Sequence, residues 1–314
     1  MSEPLTDESL IREHLALHYG VTAATITPLQ LGFDFRARSF QVCSTDRPQY
    51  FLKLRRDPYR SASLEVPFHL HAKGVPNLLP PIKTKSGNLS TNFYEEFAAL
   101  YPYLSGKNAK ERPPTIDQWK ELGRTLRAVH ESPINEAASD YRKTTYEHLD
   151  SLKSLLHPAG ASQGVALQFL TFLANRREKL EELFNRRRIL ATTLIRKNPT
   201  AVLCHADCHV WNWLIADDGR VFLLDWDDGP ILAPRERDLF LILSKDQTNP
   251  TDQDRDFLEG YGDHEVDLDS FAYFQVERVL EDIAVSARDM SDPTITEEAK
   301  QQILGQAPYF FDWC

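Results

Sequence analysis

Asp207, Asn212 and Asp225, near the middle of the chain, combine hard oxygen donors with a spacing that suits chemistry. Asp218-Gly219, set between the apolar runs that end at Ile215 and begin at Val221, is a strong hairpin signal. A two-residue turn there sets Asn212 opposite Asp225, with Cβ atoms about 5 Å apart. An amide oxygen beside a carboxylate suits magnesium, which keeps several waters and takes its other ligands from phosphates. Asp207 leads into the same end of the hairpin and supplies a further carboxylate, one that can accept a proton.

An Asp that aligns a hydroxyl, a following Asn and a later Asp that hold metal form the working order of a kinase site. His205-Ala206-Asp207 through Asn212 has the Asp-x-x-x-x-Asn spacing, and Asp225-Trp226-Asp227 occupies the later metal position. Such a site needs a strand lysine in the front part of the chain. Lys53, in the apolar run Tyr50 to Leu54, fits; Glu65, on the helix expected over 61–74, would pair with it. The phosphate loop expected before it, Leu31 to Ala37, has one glycine, Gly32. Strands are expected over 24–31, 35–43, 50–54, 80–84 and 94–103, and helices over 7–19, 146–156, 168–194 and 271–290. A further helical repeat, Trp119, Leu122, Leu126 and Val129, ends near His130. Residues 160–164 read as a loop. The strand-rich part, 1–104, is the expected nucleotide lobe. Tyr101 to Leu104 form its hinge, with Tyr101 and Tyr103 beside the base. Residues 105–314 are the expected helical lobe.

Composition narrows the partners. The 314 residues carry 46 acidic and 36 basic side chains, a formal charge of −10, which disfavours nucleic acid and anionic membranes and favours a cationic ligand. The acidic start lacks a secretory apolar stretch, and no run is long enough to span a bilayer, so a cytoplasmic protein is expected. Cys43, Cys204, Cys208 and Cys314 are too few for a disulfide framework and lack the paired spacing of structural zinc. Nothing in the sequence fixes an oligomeric state.

His205-Ala206-Asp207-Cys208-His209-Val210-Trp211-Asn212 resembles the His-x-Asp-x-His-x-x-Asn segment of the aminoglycoside phosphotransferase family. Leu223 to Trp226, the run Ala233 to Leu239, His18 to Val21 and Glu277 to Val285 extend the likeness, closest to its spectinomycin-modifying branch. Trp211 departs from the small residue usual beside that Asn. The resemblance implies an α+β, protein-kinase-like fold of two lobes, with a small strand-rich N-lobe and a larger helical C-lobe. It also implies transfer of phosphate from ATP or GTP, with Mg2+, to a hydroxyl of a small cationic acceptor such as an aminocyclitol antibiotic. Asp207 would be the catalytic base, Lys53 would orient phosphates, and Asn212 and Asp225 would bind metal. Asp227 is either a second metal or acceptor-side group or a plain hydrogen-bond acceptor. Glu277, Glu281 and Asp282 are either an acidic wall for ammonium groups or the wet face of a helix. A choline, homoserine or sugar kinase of the same fold, or a nucleotide-binding pseudokinase, remains the alternative.

Overall fold

The computed structural model describes residues 7–30, 36–46, 48–133, 142–143, 164–227, 229–262 and 265–313. Gly32, the helix expected over 146–156 and all but the end of the 160–164 loop lie outside them. The chain packs as two compact units. The first comprises Met1–Arg142, Leu203–Ile231 and Arg255–Asp263; the second comprises Lys143–Val202, Leu232–Asp254 and His264–Cys314.

The first unit opens with helix α1 (Asp7–Tyr19) and strands β1 (Ala23–Leu29), β2 (Ala37–Ser44) and β3 (Gln49–Arg55). Helix α2 (Ser61–Ala72), β4 (Thr91–Phe93) and β5 (Glu96–Pro102) follow. The five strands make one antiparallel sheet in the order β1-β2-β3-β5-β4. Apolar side chains at alternate strand positions close its core: Phe40, Val42, Leu52, Leu54, Ala98 and Leu100 pack with Ile11 and Leu15 of α1. Leu52 and Leu54 are fully enclosed. The intervening Lys53 therefore leaves β3 on the opposite face, with Arg55 beside it in the two-residue period.

The expected strand at 80–84 does not form. That segment runs beside β5 with an Ile82 N–H bond to Leu100 O, and the real partner of β5 is β4, joined through Tyr94-Glu95. Helix α2 continues through Pro67, which is buried. The first unit also does not stop at residue 104. Strand β6 (Gly106–Asn108) pairs with β9 (Trp213–Ala216), and β9 pairs with β10 (Val221–Leu223). Gly106 must be glycine here, because a Cβ would stand 2.4 Å from Ile215 O. Helix α3 (Ile116–His130), started by a Thr115–Gln118 capping box, packs against β10.

Strands β7 (Arg142–Lys143), β8 (Val202–Cys204) and β11 (Ile231–Ala233) fall where the chain passes from one unit to the other. The second unit is helical: α4 (Gly164–Ala174), α5 (Arg177–Lys197), α6 (Glu236–Leu239), α8 (Leu268–Ser291), α9 (Glu297–Gln306) and a closing 3-10 segment, with α7 (Asp252–Tyr261) shared along the chain. The helix expected over 168–194 is broken at Asn175-Arg176 into α4 and α5. Helix α8 packs on α5 and carries the unit's core through Phe271, Phe274, Val279 and Ile283. Among the described residues no helix is long and apolar enough to cross a membrane.

Candidate active site

The hairpin forms one residue out of the expected register. Ala216 N–H bonds to Arg220 O and Gly219 N–H to Ala216 O, and Gly219 takes φ +86°, so the turn holds three residues rather than two. The ladder then pairs Val221 with Ile215 and Leu223 with Trp213. Asn212 therefore meets Leu224, whose N–H donates to Asn212 O at 2.8 Å, instead of Asp225.

Asp225 is nonetheless fixed, because the peptide before it is gripped from two sides. The Leu224 carbonyl accepts a 3.0 Å bond from His205 Nε2, while Asp207 N–H donates to His205 Nδ1 at 3.2 Å. Both bonds suit one neutral tautomer with its proton on Nε2. His205, 1% exposed and 4.3 Å from the Trp226 ring, is thus a brace joining the Asp207 loop to the strand end before Asp225. Ala206 (φ +75°) and Asp225 (φ +59°) both hold left-handed backbone, a conformation costly for residues with a Cβ and concentrated at functional sites.

Asn212 ends a short 3-10 turn, Val210–Asn212. Its Nδ2 donates to Asp207 O at 2.7 Å and to Asp207 Oδ2 at 2.9 Å. With the nitrogen committed, the amide oxygen is the end that can meet a cation. His209 Nε2 lies 3.4 Å from the same Asp207 oxygen. The loop is anchored by Ala109 N–H to Val210 O and Trp213 O, and by Trp213 Nε1–H to Cys208 O.

Lys53 Nζ lies 3.2 Å from each Asp225 oxygen and 2.5 Å from Asp227 Oδ2, and Arg55 Nη1 is 3.1 Å from that same Asp227 oxygen. Lys53 takes these partners in place of Glu65, which forms no ion pair among the described residues. Desolvation by the neighbouring protein would lift the Asp225 carboxyl, but the Lys53 charge and hydrogen bond override it and hold Asp225 below the usual carboxylate range. Burial carries Asp227 above that range, with Lys53 pulling against it and the Asp225 charge adding to it. Asp227 is therefore committed to two β3 cations rather than standing on an acceptor side. Arg55 was not singled out from sequence; its signal was the two-residue alternation that places it beside Lys53.

Tyr101, on β5 opposite Phe51, is pushed well above its usual pKa by burial. Tyr103 N–H is spent on Gln49 O at 3.1 Å, which removes it as a donor to a base. In the second unit, Glu277 is buried and takes Arg187 Nη2 at 3.0 Å and the Tyr273 hydroxyl at 2.6 Å. Its carboxyl is raised by that burial and then by Glu281. Glu281 pairs with Arg237 at 3.2 Å and Asp282 with Arg278 at 2.9 Å. These acids are neither a free anionic wall nor a simple wet face: each has an arginine, which cancels its charge locally.

The family described as the phosphotransferase enzyme family (APH) matches residues 25–274. Spectinomycin phosphotransferase APH(9)-Ia, solved with ADP and spectinomycin, is similar at 26% identity and TM-score 0.80, over 99% of this chain and 94% of that one. Amicoumacin kinase hAmiN, in complex with AMP-PNP, Ca2+ and Ami, is similar at 16% identity and TM-score 0.59, over 98% and 94%. Choline kinase LicA from Streptococcus pneumoniae is similar at 14% identity and TM-score 0.63, over 97% and 98%. No curated protein sequence matches the chain. The α+β class of the protein-kinase kind, read from the sequence, is the observed fold.

Proposed function

Because the chain belongs to the phosphotransferase enzyme family, we propose that it transfers the γ-phosphoryl group of ATP to a hydroxyl of a small amine-bearing acceptor, of which spectinomycin and related aminocyclitols are the leading examples. The observation that carries this reading is the linked pair of contacts Asn212–Asp207 and Lys53–Asp225, joined through the Leu224 peptide. Phosphoryl transfer asks the protein chiefly for positioning and charge, and these residues supply both.

In this reading the acceptor hydroxyl hydrogen-bonds to Asp207, which aligns it with the phosphorus and takes its proton as the new O–P bond forms. Lys53 steadies the α- and β-phosphates. The Asn212 oxygen and the ionised Asp225 form a hard-oxygen set that fits Mg2+, which supplies charge neutralisation on the phosphates. His205 keeps the two loops in step. A nucleotide-binding scaffold without turnover is disfavoured by the same contacts, which bring Asn212 onto Asp207 and Lys53 onto Asp225. The direct test is acceptor-dependent ADP release with Mg-ATP, or Mg-GTP in parallel, over aminocyclitols, aminoglycosides, choline and amino alcohols. No acceptor-dependent release across that panel would end the transferase reading, and a response to choline alone would move the acceptor to the amino alcohols.

Trp211 is 54% exposed, whereas Trp119, Trp213 and Trp226 are buried. It sits directly before Asn212 on a turn whose backbone is pinned by Ala109. Keeping an indole in water there forgoes about 2 kcal/mol of burial, which a bound acceptor would recover. Trp211→Ala is expected to raise the acceptor KM about tenfold and leave the Mg-ATP KM unchanged. Steady-state kinetics with both substrates varied decide it; an unchanged acceptor KM would remove Trp211 from the acceptor side.

A further inference from the structure

Asp227 serves two cations at once. Its Oδ2 contacts both Lys53 and Arg55, while Lys53 also spans both oxygens of Asp225. The side chains of Lys53, Arg55 and Asp227 are 10%, 16% and 12% exposed, whereas Asp225 is 43% exposed. A carboxylate so enclosed needs a counter-charge in every state of the protein. The phosphate role asks Lys53 to turn its ammonium toward the nucleotide. Without a second cation, Asp227 would hold the lysine back.

Arg55 is built to be that cation. It leaves the same face of β3 as Lys53, and its guanidinium lies 5.4 Å from the centre of the Tyr59 ring. The Tyr59 hydroxyl in turn donates to the Lys53 carbonyl at 3.2 Å. The guanidinium is thus held by the strand, by a ring tied to the lysine's own peptide, and by Asp227. Its planar fork can replace one carboxylate contact with two, which an ammonium cannot.

We propose that Arg55 is a positioning residue that takes over Asp227 when Lys53 turns to the phosphates, so that Asp227 and the nucleotide do not compete for the lysine. The inference rests on the nucleotide reading above and adds to it a hand-over between two cations on one strand.

Isothermal titration of Mg-ATP into wild type, Arg55→Met, Arg55→Lys, Asp227→Asn and the double variant Arg55→Met/Asp227→Asn tests it, with melting curves to confirm folding. Arg55→Met is expected to weaken Mg-ATP binding about tenfold, since coupled charges commonly show effects of that size, while Arg55→Lys, which keeps the charge but not the fork, falls between Arg55→Met and wild type. Asp227→Asn should not weaken binding, and the double variant should recover to within about threefold of Asp227→Asn alone. A double variant as weak as Arg55→Met, or weaker, would mean that Arg55 merely props the strand and would overturn the hand-over. Loss of binding in Asp227→Asn would overturn it too, by making Asp227 itself a ligand. Wild type that binds no Mg-ATP would instead sink the nucleotide reading beneath it. Should Arg55→Met not fold, Arg55→Gln carries the same comparisons.

Discussion

Asp207→Asn is expected to lower acceptor-dependent turnover about a thousandfold while Mg-ATP affinity changes less than about threefold. The substitution is close to isosteric and keeps an acceptor oxygen where Asn212 Nδ2 now donates at 2.9 Å. Asp207 N–H still reaches His205, so the brace to Leu224 survives. What is lost is the negative charge that, in the proposed mechanism, orients the attacking hydroxyl and receives its proton. Because the proposed nucleotide and metal contacts are those of Lys53, Asn212 and Asp225, binding and turnover should separate cleanly. Titration of Mg-ATP alongside single-turnover phosphorylation would show that separation. Turnover near the wild-type value would remove Asp207 as the base.

Asp225→Asn is expected to cost about a thousandfold in kcat/KM, near 4 kcal/mol of transition-state stabilisation, and to raise the magnesium concentration needed for half-maximal rate. Asp225 is kept ionised by Lys53, so the substitution removes a charge that the site maintains. It also releases Lys53 to Asp227 alone, the shorter of its two contacts at 2.5 Å. Two defects follow from one change: a weaker metal site and a lysine more firmly held away from phosphate. A magnesium titration at fixed ATP distinguishes this from simple unfolding. Unchanged magnesium dependence, with the melting temperature preserved, would contradict the assignment of Asp225 as a metal ligand.

The family and the α+β fold were legible in the sequence, and the hairpin geometry less so. Lys53 stood out because an ammonium among Phe51, Leu52 and Leu54 needs an anionic partner, and β3 does place it on one. The choice of Glu65 failed because helical proximity gives no information on which of several carboxylates wins a buried cation. Asp225 and Asp227, brought in from a sequence separation of more than 170 residues, were the stronger competitors. The turn misled for a local reason. Asp218-Gly219 fits a two-residue turn, but it equally fits the last two places of a three-residue turn in which glycine is left-handed. The observed Asp218 carboxylate accepts from Arg220 N–H at 3.1 Å, an extra bond that accompanies the longer turn.

A one-residue slip ordinarily carries every later side chain to the other face. Here its effect ends at Leu224, one residue past β10, and left-handed Asp225 breaks the alternation just beyond. Arg55 was hidden for a different reason: a basic residue at a strand end reads as solvent-facing, and only the Asp227 contact shows otherwise. The acids of α8 were legible as acids, and Arg278–Asp282 is a readable i,i+4 pair, but the arginines that meet Glu277 and Glu281 come from α5 and α6 and have no signature in the sequence.

Lys53, Asp207, Asn212, Asp225 and Asp227 all belong to one of the two compact units, whereas Glu277, Glu281 and Asp282 belong to the other. The residues proposed to handle the phosphate donor and the acids of α8 are therefore encoded in separately packed units. Substitutions that retune α8 and its arginines can accumulate without disturbing the phosphate apparatus. A lineage built this way can vary its second unit while the residues proposed to move phosphate stay put.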